Sequence, residues 1–288
     1  MGVTTRCIFL FLFSVTSASN DNVFARLHSD LFKDANYEKD AIPMISPAGD
    51  DNDNAINLAL GLSVISMDVS PRGVLSANTW LRTFWTDYRL KWNPADYQGV
   101  KSIRAPSSQL WKPDLSIYNA ANVGCGSFEE RLSSSPTLAI VYSTGDVLWM
   151  PPIPIDVNCN HDKVMVKTND EIACNIRIGS WTYDGNHINL TSFGESDILD
   201  LNEMSSNTAF DVTSQKGDAL ATSHYPCCSE PYIAMDYQFT VKKTQSEDVK
   251  EEEESEESSK EDTEEIEEEE ESSGENIEDE NTIKESEK

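Results

Sequence analysis

Hydrophobic and polar residues alternate along much of this chain. Ile56, Leu58, Leu60, Leu62 and Val64 are separated by small or polar residues, and a period of two is typical of a β-strand with one buried face. A second alternating run covers residues 74–85. Further strand-length runs lie between clusters of Gly, Pro, Asn and Asp, at residues 138–142, 147–150, 171–178, 187–190, 219–225 and 232–242. Many short strands separated by turn signals predict an all-β, immunoglobulin-like β-sandwich of about ten strands.

Residues 23–35 depart from this pattern. Phe24, Leu27 and Leu31 recur at the i, i+3, i+7 spacing, which places them on one side of an α-helix. We therefore expect an amphipathic N-terminal helix before the first strand.

The alternation within residues 74–85 separates two faces of one predicted strand. One face carries four apolar residues, which are Leu75, Ala77, Leu81 and Trp85. Trp80 falls on the other face, beside Asn78 and Arg82. A tryptophan on a polar face is either an ordinary half-buried surface residue or a residue that faces a second subunit or a ligand.

The first 19 residues have the pattern of a secretory signal peptide. Arg6 supplies a positive charge, residues 7–15 form a short apolar core, and Ser17 and Ser19 suit a cleavage site. A membrane anchor is the alternative, but crossing a bilayer takes roughly 20 apolar residues. We assign residues 1–19 to a signal peptide.

Residues 246–288 hold 23 acidic and 4 basic residues, a net charge of −19 out of −29 for the whole chain. This segment has only four apolar residues, so their burial cannot offset the conformational entropy that the chain would lose on folding. We expect a disordered, solubilising acidic tail, with weak calcium capture or a basic partner as alternatives. Residues 20–245 then form one domain.

The remaining sequence favours a binding protein over an enzyme. No apolar run after residue 19 reaches transmembrane length, so we expect a secreted, extracellular protein with no membrane insertion. Asn189 begins an N-glycosylation sequon. No GxSxG, HExxH or phosphate-binding glycine loop occurs, and the four histidines lack metal-ligand spacing; they are His28, His161, His187 and His224. We expect no enzyme activity, cofactor, metal or nucleic-acid partner.

Five cysteines remain once Cys7 leaves with the signal peptide. We favour one disulfide between Cys159 and Cys174 and another between Cys227 and Cys228, with Cys125 free. The first closes a loop worth about 3 kcal/mol by chain entropy. The second closes almost no loop, so it stiffens the peptide locally without stabilising the fold. Alternatively, Cys227 and Cys228 are free thiols or form disulfides with other cysteines.

Four segments in this order carry a family resemblance. Residues 80–92 include Trp80, Trp85 and Trp92; residues 111–119 hold a W-K-P-D motif; residues 179–183 read G-S-W-T-Y; residues 225–232 read Y-P-C-C-S-E-P-Y. Together they resemble the extracellular ligand-binding domain of nicotinic-type Cys-loop receptors and the soluble acetylcholine-binding proteins.

The resemblance implies an aromatic cage between two subunits of a homo-oligomer, a pentamer. Its principal face takes Tyr118, Trp181, Tyr225 and Tyr232, with Cys227 and Cys228 at the tip of the loop that closes over the ligand. Its complementary face takes Trp80, Ile140, Leu148 and Met150 from the neighbouring subunit. Trp85, Trp92 and Trp111 are core residues in this interpretation.

The chemistry of such a cage suits a quaternary ammonium. Its nitrogen has no hydrogen to donate, so aromatic faces must hold it, at about 0.5–2 kcal/mol per contact. Several such contacts, with burial of the methyl groups, can give a micromolar dissociation constant, which corresponds to a binding free energy of about 8 kcal/mol. The negative charge of the domain also attracts cations. We therefore expect an acetylcholine- or nicotine-like ligand.

The chain also departs from the family pattern. The loop of 14 residues between Cys159 and Cys174 carries five charged residues and a histidine and lacks the family's aromatic-proline segment, as expected of a loop with no channel domain to contact. The family's acidic residue two positions after the last tyrosine is Ala234 here, and Arg177 stands where lysine is common. The alternative function is a secreted receptor-like scaffold or assembly protein with a non-cholinergic ligand.

Overall fold

The alternating runs form the strands of two sheets in the computed structural model. It describes residues 22–44, 55–159, 171–194, 198–206, 209–217 and 219–243. The predicted signal peptide (1–19), the acidic tail (246–288) and residues 160–170 lie outside the described residues.

Twelve strands, two short α-helices and three 3-10 helical turns (Tyr88–Leu90, Pro94–Tyr97 and Ser107–Gln109) lie in the described ranges. The strands are β1 (Ile56–Val69), β2 (Val74–Thr86), β3 (Ser102–Pro106), β4 (Leu115–Ile117), β5 (Leu138–Tyr142), β6 (Asp146–Trp149), β7 (Pro152–Asn158), β8 (Glu171–Ser180), β9 (Ile188–Ser192), β10 (Phe210–Lys216), β11 (Leu220–Ser223) and β12 (Tyr232–Lys243). The helices are α1 (Val23–Ser29), which a π-helical turn at Asp30–Asp34 continues, and α2 (Phe128–Ser134).

The strands form a β-sandwich, as predicted. One sheet has seven strands in the order β3-β5-β6-β2-β1-β9, with β7 also pairing with β2. The other has five, in the order β10-β12-β8-β4, with β11 pairing with β12. Residues of both sheets bury their apolar faces in one core, among them Leu60, Leu81, Trp149, Ile176 and Val241. This burial is the main favourable contribution to folding.

The face assignment within β2 is confirmed. Leu75, Ala77, Leu81 and Trp85 are all buried, whereas 42% of Trp80 is exposed. Because successive side chains of a strand point to opposite faces, the exposed tryptophan follows from its position alone.

A disulfide joins Cys159, next to the end of β7, to Cys174 in β8. Because β7 belongs to the seven-stranded sheet and β8 to the five-stranded sheet, this bond connects the two layers. A second disulfide joins Cys227 to Cys228, and among the described residues Cys125 is exposed and forms no disulfide.

Several elements do not follow from the alternation. β4 has only three residues, and β7 alternates apolar residues but carries prolines at its first and third positions, which are uncommon inside strands. Helix α2 begins at a capping motif, because Ser127 Oγ accepts a hydrogen bond from the Glu130 amide (3.3 Å) and Glu stands at that position. No helix in the described part of the chain has the length and hydrophobicity needed to cross a membrane.

Candidate functional site

Four aromatic residues meet at one end of the five-stranded sheet. Tyr118 follows β4, Trp181 follows β8, Tyr225 lies in the loop between β11 and β12, and Tyr232 begins β12. The rings of Tyr118 and Trp181 are 6.2 Å apart, and those of Tyr225 and Tyr232 are 5.4 Å apart. Both pairs meet edge to face, at 74° and 78°, an arrangement that aromatic quadrupoles favour.

The two ring pairs are close enough to interact electrostatically. The pKa of Tyr118 is raised to about 12, first because burial disfavours the phenolate and next because of the neighbouring Tyr225 hydroxyl. Tyr118 therefore stays protonated at neutral pH, and its hydroxyl donates a hydrogen bond to the Ser180 carbonyl oxygen (2.6 Å). This bond holds the ring beside the segment that carries Trp181.

Asp114 anchors that segment. Its Oδ1 accepts a hydrogen bond from Ser180 Oγ (2.5 Å), and its Oδ2 accepts two from Thr182, through the amide (2.8 Å) and Oγ1 (2.6 Å). The Trp181 amide donates to the Asp114 carbonyl oxygen (3.1 Å). One carboxylate thus fixes the backbone on both sides of Trp181, whose side chain is 69% exposed.

Gly179 allows the backbone of β8 to approach Tyr118. A Cβ at this position would lie 2.6 Å from Tyr118 Oη and 2.9 Å from the Ile233 carbonyl oxygen. Both distances are shorter than real Cβ contacts, so any larger residue would displace the cage tyrosine or β12. The glycine is required by packing.

The loop between β11 and β12 carries Tyr225, one of the four aromatic residues. The pairing of β11 with β12 ends at Ser223 and Tyr232, so residues 224–231 form the loop. The Cys228 amide donates to the Tyr225 carbonyl oxygen (3.0 Å), and the Cys227–Cys228 disulfide lies within this turn. Tyr225 is 42% exposed, so it is not a core residue of the isolated chain.

The four residues predicted for the complementary face lie on the other sheet. The register pairs Phe84 with Leu148 and Leu148 with Ile140, and directly opposed residues share a face. Trp80 has the same parity as Phe84 in β2, so it shares that outward face. Met150 follows β6 and is 46% exposed. Within one chain, the structure therefore does not bring these residues to the aromatic group.

The predicted glycosylation residue lies in a strand. Asn189 is in β9, which pairs in parallel with β1, and its Nδ2 donates to Asn57 Oδ1 (2.8 Å). The nitrogen that would carry a glycan is thus engaged in a cross-strand hydrogen bond.

Sequence reasoning did not assign roles to Asp114 and Gly179. Both belong to the motifs quoted above, W-K-P-D and G-S-W-T-Y, yet a motif does not show which side chain contacts which backbone. The three hydrogen bonds to Asp114 join segments 66 and 68 residues apart, so a local pattern cannot reveal them.

Comparisons with known proteins give a consistent result. The model of the neurotransmitter-gated ion-channel ligand binding domain matches residues 24–245. The chain is 30% identical to acetylcholine receptor subunit alpha-like 2 of Drosophila melanogaster over 82% of its length, and 33% identical to acetylcholine receptor subunit beta-like 1 of the same species over 70%. It is 30% identical to neuronal acetylcholine receptor subunit alpha-6 of Mus musculus over 82%. The matches span 40%, 36% and 44% of these relatives.

Proposed function

The chain belongs to the neurotransmitter-gated ion-channel ligand-binding domain family, and on that premise we propose that it binds a small cation in an aromatic cage between two subunits. The observation that carries the proposal is the group of Tyr118, Trp181, Tyr225 and Tyr232. Their rings form two edge-to-face pairs, and Trp181 and Tyr225 are exposed in the single chain. An aromatic face attracts a quaternary ammonium, and the attraction is stronger when the pair is shielded from water than when it is exposed.

The second subunit supplies the other wall of this site. Trp80 and Met150 are large apolar residues exposed on the outward face of the seven-stranded sheet, and exposed apolar patches mark interaction surfaces. Ile140 and Leu148, paired on that face, extend the patch. A homo-oligomer brings this patch of one copy against the aromatic group of the next, and we propose five copies in the ring, as the family resemblance implies.

The ligand class follows from the cage and from the relatives. The relatives are named as acetylcholine receptor subunits, and four aromatic rings suit the methylated ammonium of acetylcholine or the charged ring of nicotine. We propose that this chain acts as a secreted binding protein without a channel. The signal-peptide pattern of residues 1–19 and the polar character of residues 160–170 support that part of the proposal.

Titration calorimetry of the assembled protein with acetylcholine and with nicotine tests the proposal. We expect a dissociation constant in the micromolar range, and at least about a hundredfold weaker binding for Trp181→Ala, because several aromatic contacts depend on that ring. Phe24→Ala is the matched control, since Phe24 is an exposed aromatic residue of helix α1, outside the cage. An intact oligomer that binds neither compound would refute the cation cage.

A further inference from the structure

An exposed arginine lies on the outward face of the seven-stranded sheet, in line with the apolar patch. Arg104 is in β3, where its neighbours Ile103 and Ala105 are buried and Arg104 itself is exposed. The register pairs Arg104 with Ile140, and Ile140 with Leu148. Because directly opposed residues share a face, this arginine ends the row of residues that we propose for the complementary wall of the site.

Arg104 has no counterion among the described residues of its own chain. Its only side-chain hydrogen bond within them is the one that Nη1 donates to Ser102 Oγ (3.1 Å). By contrast, Arg82, Arg89 and Arg131 each have a carboxylate oxygen at 2.8, 2.8 and 3.4 Å, respectively. A guanidinium carries five N–H donors, so most of those of Arg104 are available to an acceptor that enters the site.

The sheet geometry sets how far this arginine lies from the cation. Neighbouring strands are about 4.8 Å apart, so the backbone of Arg104 is about 10 Å from that of Leu148, two strands away. Met150 lies two residues beyond Leu148 in the direction of Trp80, which adds about 7 Å along the sheet. A ligand whose ammonium lies beside Trp80 and Met150 must therefore be elongated to bring a second group to Arg104.

The charge distribution favours an anionic group at this one end of the wall. The chain as a whole carries a net charge of −29, so a free anion is repelled. An anionic group that is tethered to an ammonium is different, because the aromatic cage holds the other end of the same molecule. The planar fork of a guanidinium then fits a carboxylate through two parallel hydrogen bonds.

We propose that Arg104 binds a carboxylate at the far end of the ligand, so that the site selects an elongated zwitterion with a methylated ammonium in the cage and a carboxylate on the arginine. The inference rests on the proposed function of the cage, which it narrows from cations in general to cations that carry a distant acid group. Arg104 is thus a ligand-contacting residue of the complementary wall.

The test compares the monocholine ester of adipic acid, which has a free carboxylate, with the methyl choline diester, in which that carboxylate is capped. The measured quantity is the ratio of the two dissociation constants, by calorimetry of the assembled protein. We expect the acid to bind about tenfold tighter in the unmodified protein, and a ratio near one for Arg104→Gln. Arg104→Lys keeps the charge but loses the two parallel hydrogen bonds, so its ratio should fall between these values.

Two controls separate this contact from general effects. Acetylcholine lacks the acid arm, so its dissociation constant should change by less than about twofold in Arg104→Gln, which shows that the variant assembles with its cage intact. Arg72→Gln removes one positive charge from the exposed turn between β1 and β2. It should leave the ratio of acid to diester unchanged, because solvent and salt screen a distant surface charge.

The outcomes distinguish this inference from the function it rests on. If the unmodified protein binds acetylcholine but binds the acid and the diester equally well, the role of Arg104 is refuted and the cation cage stands. This comparison decides the matter even if Arg104→Gln does not assemble. A preference for the acid that persists in an assembled Arg104→Gln protein also refutes the role of Arg104. If an intact oligomer binds none of the three compounds, both the cage and the inference are wrong.

Discussion

The two halves of the proposed site are built in different ways. Tyr118, Trp181 and Tyr225 lie just beyond strand ends or in a loop, and hydrogen bonds donated to Asp114 hold the segment around Trp181 in place. Trp80, Ile140 and Leu148 lie within strands, where the sheet register alone directs them outward. The cage therefore depends on a few polar contacts, whereas the apolar patch depends on the alternation of whole strands.

Because of this difference, different substitutions should displace the residues of each half. A residue beyond a strand end depends more on its polar anchor, because fewer backbone hydrogen bonds hold it than hold a residue within a strand. A strand residue keeps its position after substitution, because backbone pairing on both sides maintains the direction of the side chain. Substitutions in the two halves should therefore have different consequences for stability and for binding.

Asp114→Ala should have the largest effect. It removes the acceptor of three side-chain and backbone hydrogen bonds and leaves the buried Ser180 hydroxyl without this partner. Since hydrogen bonds to charged groups contribute about 1.5–3 kcal/mol each, we expect the free energy of unfolding to fall by about 3 kcal/mol. Ligand affinity should fall by about a hundredfold, because Trp181 is no longer fixed. Denaturant titration and calorimetry measure the two quantities.

Asp114→Asn is the matched control for this substitution. The amide keeps one acceptor oxygen with nearly the same shape, so the loss of unfolding free energy should be about 1 kcal/mol. Equal losses for Ala and Asn would show that the segment needs both carboxylate oxygens, and that the one acceptor kept by the amide is not enough to position it.

Leu148→Ala should lower ligand affinity with little effect on folding. Leu148 is half-buried on the outward face, whereas its neighbour Val147 is fully buried. We expect Leu148→Ala to weaken binding by about tenfold through lost apolar contact and to reduce the free energy of unfolding of the protomer by under about 1 kcal/mol. Val147→Ala should cost about 2 kcal/mol of stability and leave the intrinsic affinity unchanged. The reverse pattern in the same two measurements would contradict the face assignment.

Replacing both Cys227 and Cys228 by Ser should have the smallest effect on stability. Their disulfide joins adjacent residues, so it removes almost no chain entropy from the unfolded state, and we expect a change of under about 0.5 kcal/mol in the free energy of unfolding. As the control, replacing both Cys159 and Cys174 should cost about 3 kcal/mol, because their bond closes a loop with a sequence separation of 15. Comparable losses for the two pairs would show that the adjacent disulfide supports the fold.

The alternation of apolar residues was enough to predict the sandwich and the outward face of β2. A period of two needs only the nearest neighbours along the chain, so the burial of Leu81 and the exposure of Trp80 could be predicted without any partner strand. The resemblance to the receptor family added which aromatic residues to consider. The limits of the domain at residues 20 and 245, and the roles of the individual site residues, stay predictions.

The tertiary structure decided which groups meet. The contact between Asp114 and the segment around Trp181, the approach of Gly179 to Tyr118, and the contact of Arg177 with that ring all join residues on different strands or loops. The short β4 likewise has little local pattern of its own. The period of two indicates which side of a strand is buried. Which residues of other strands or loops a side chain contacts depends on strand register and on the path of the chain, and both are set when the whole core packs.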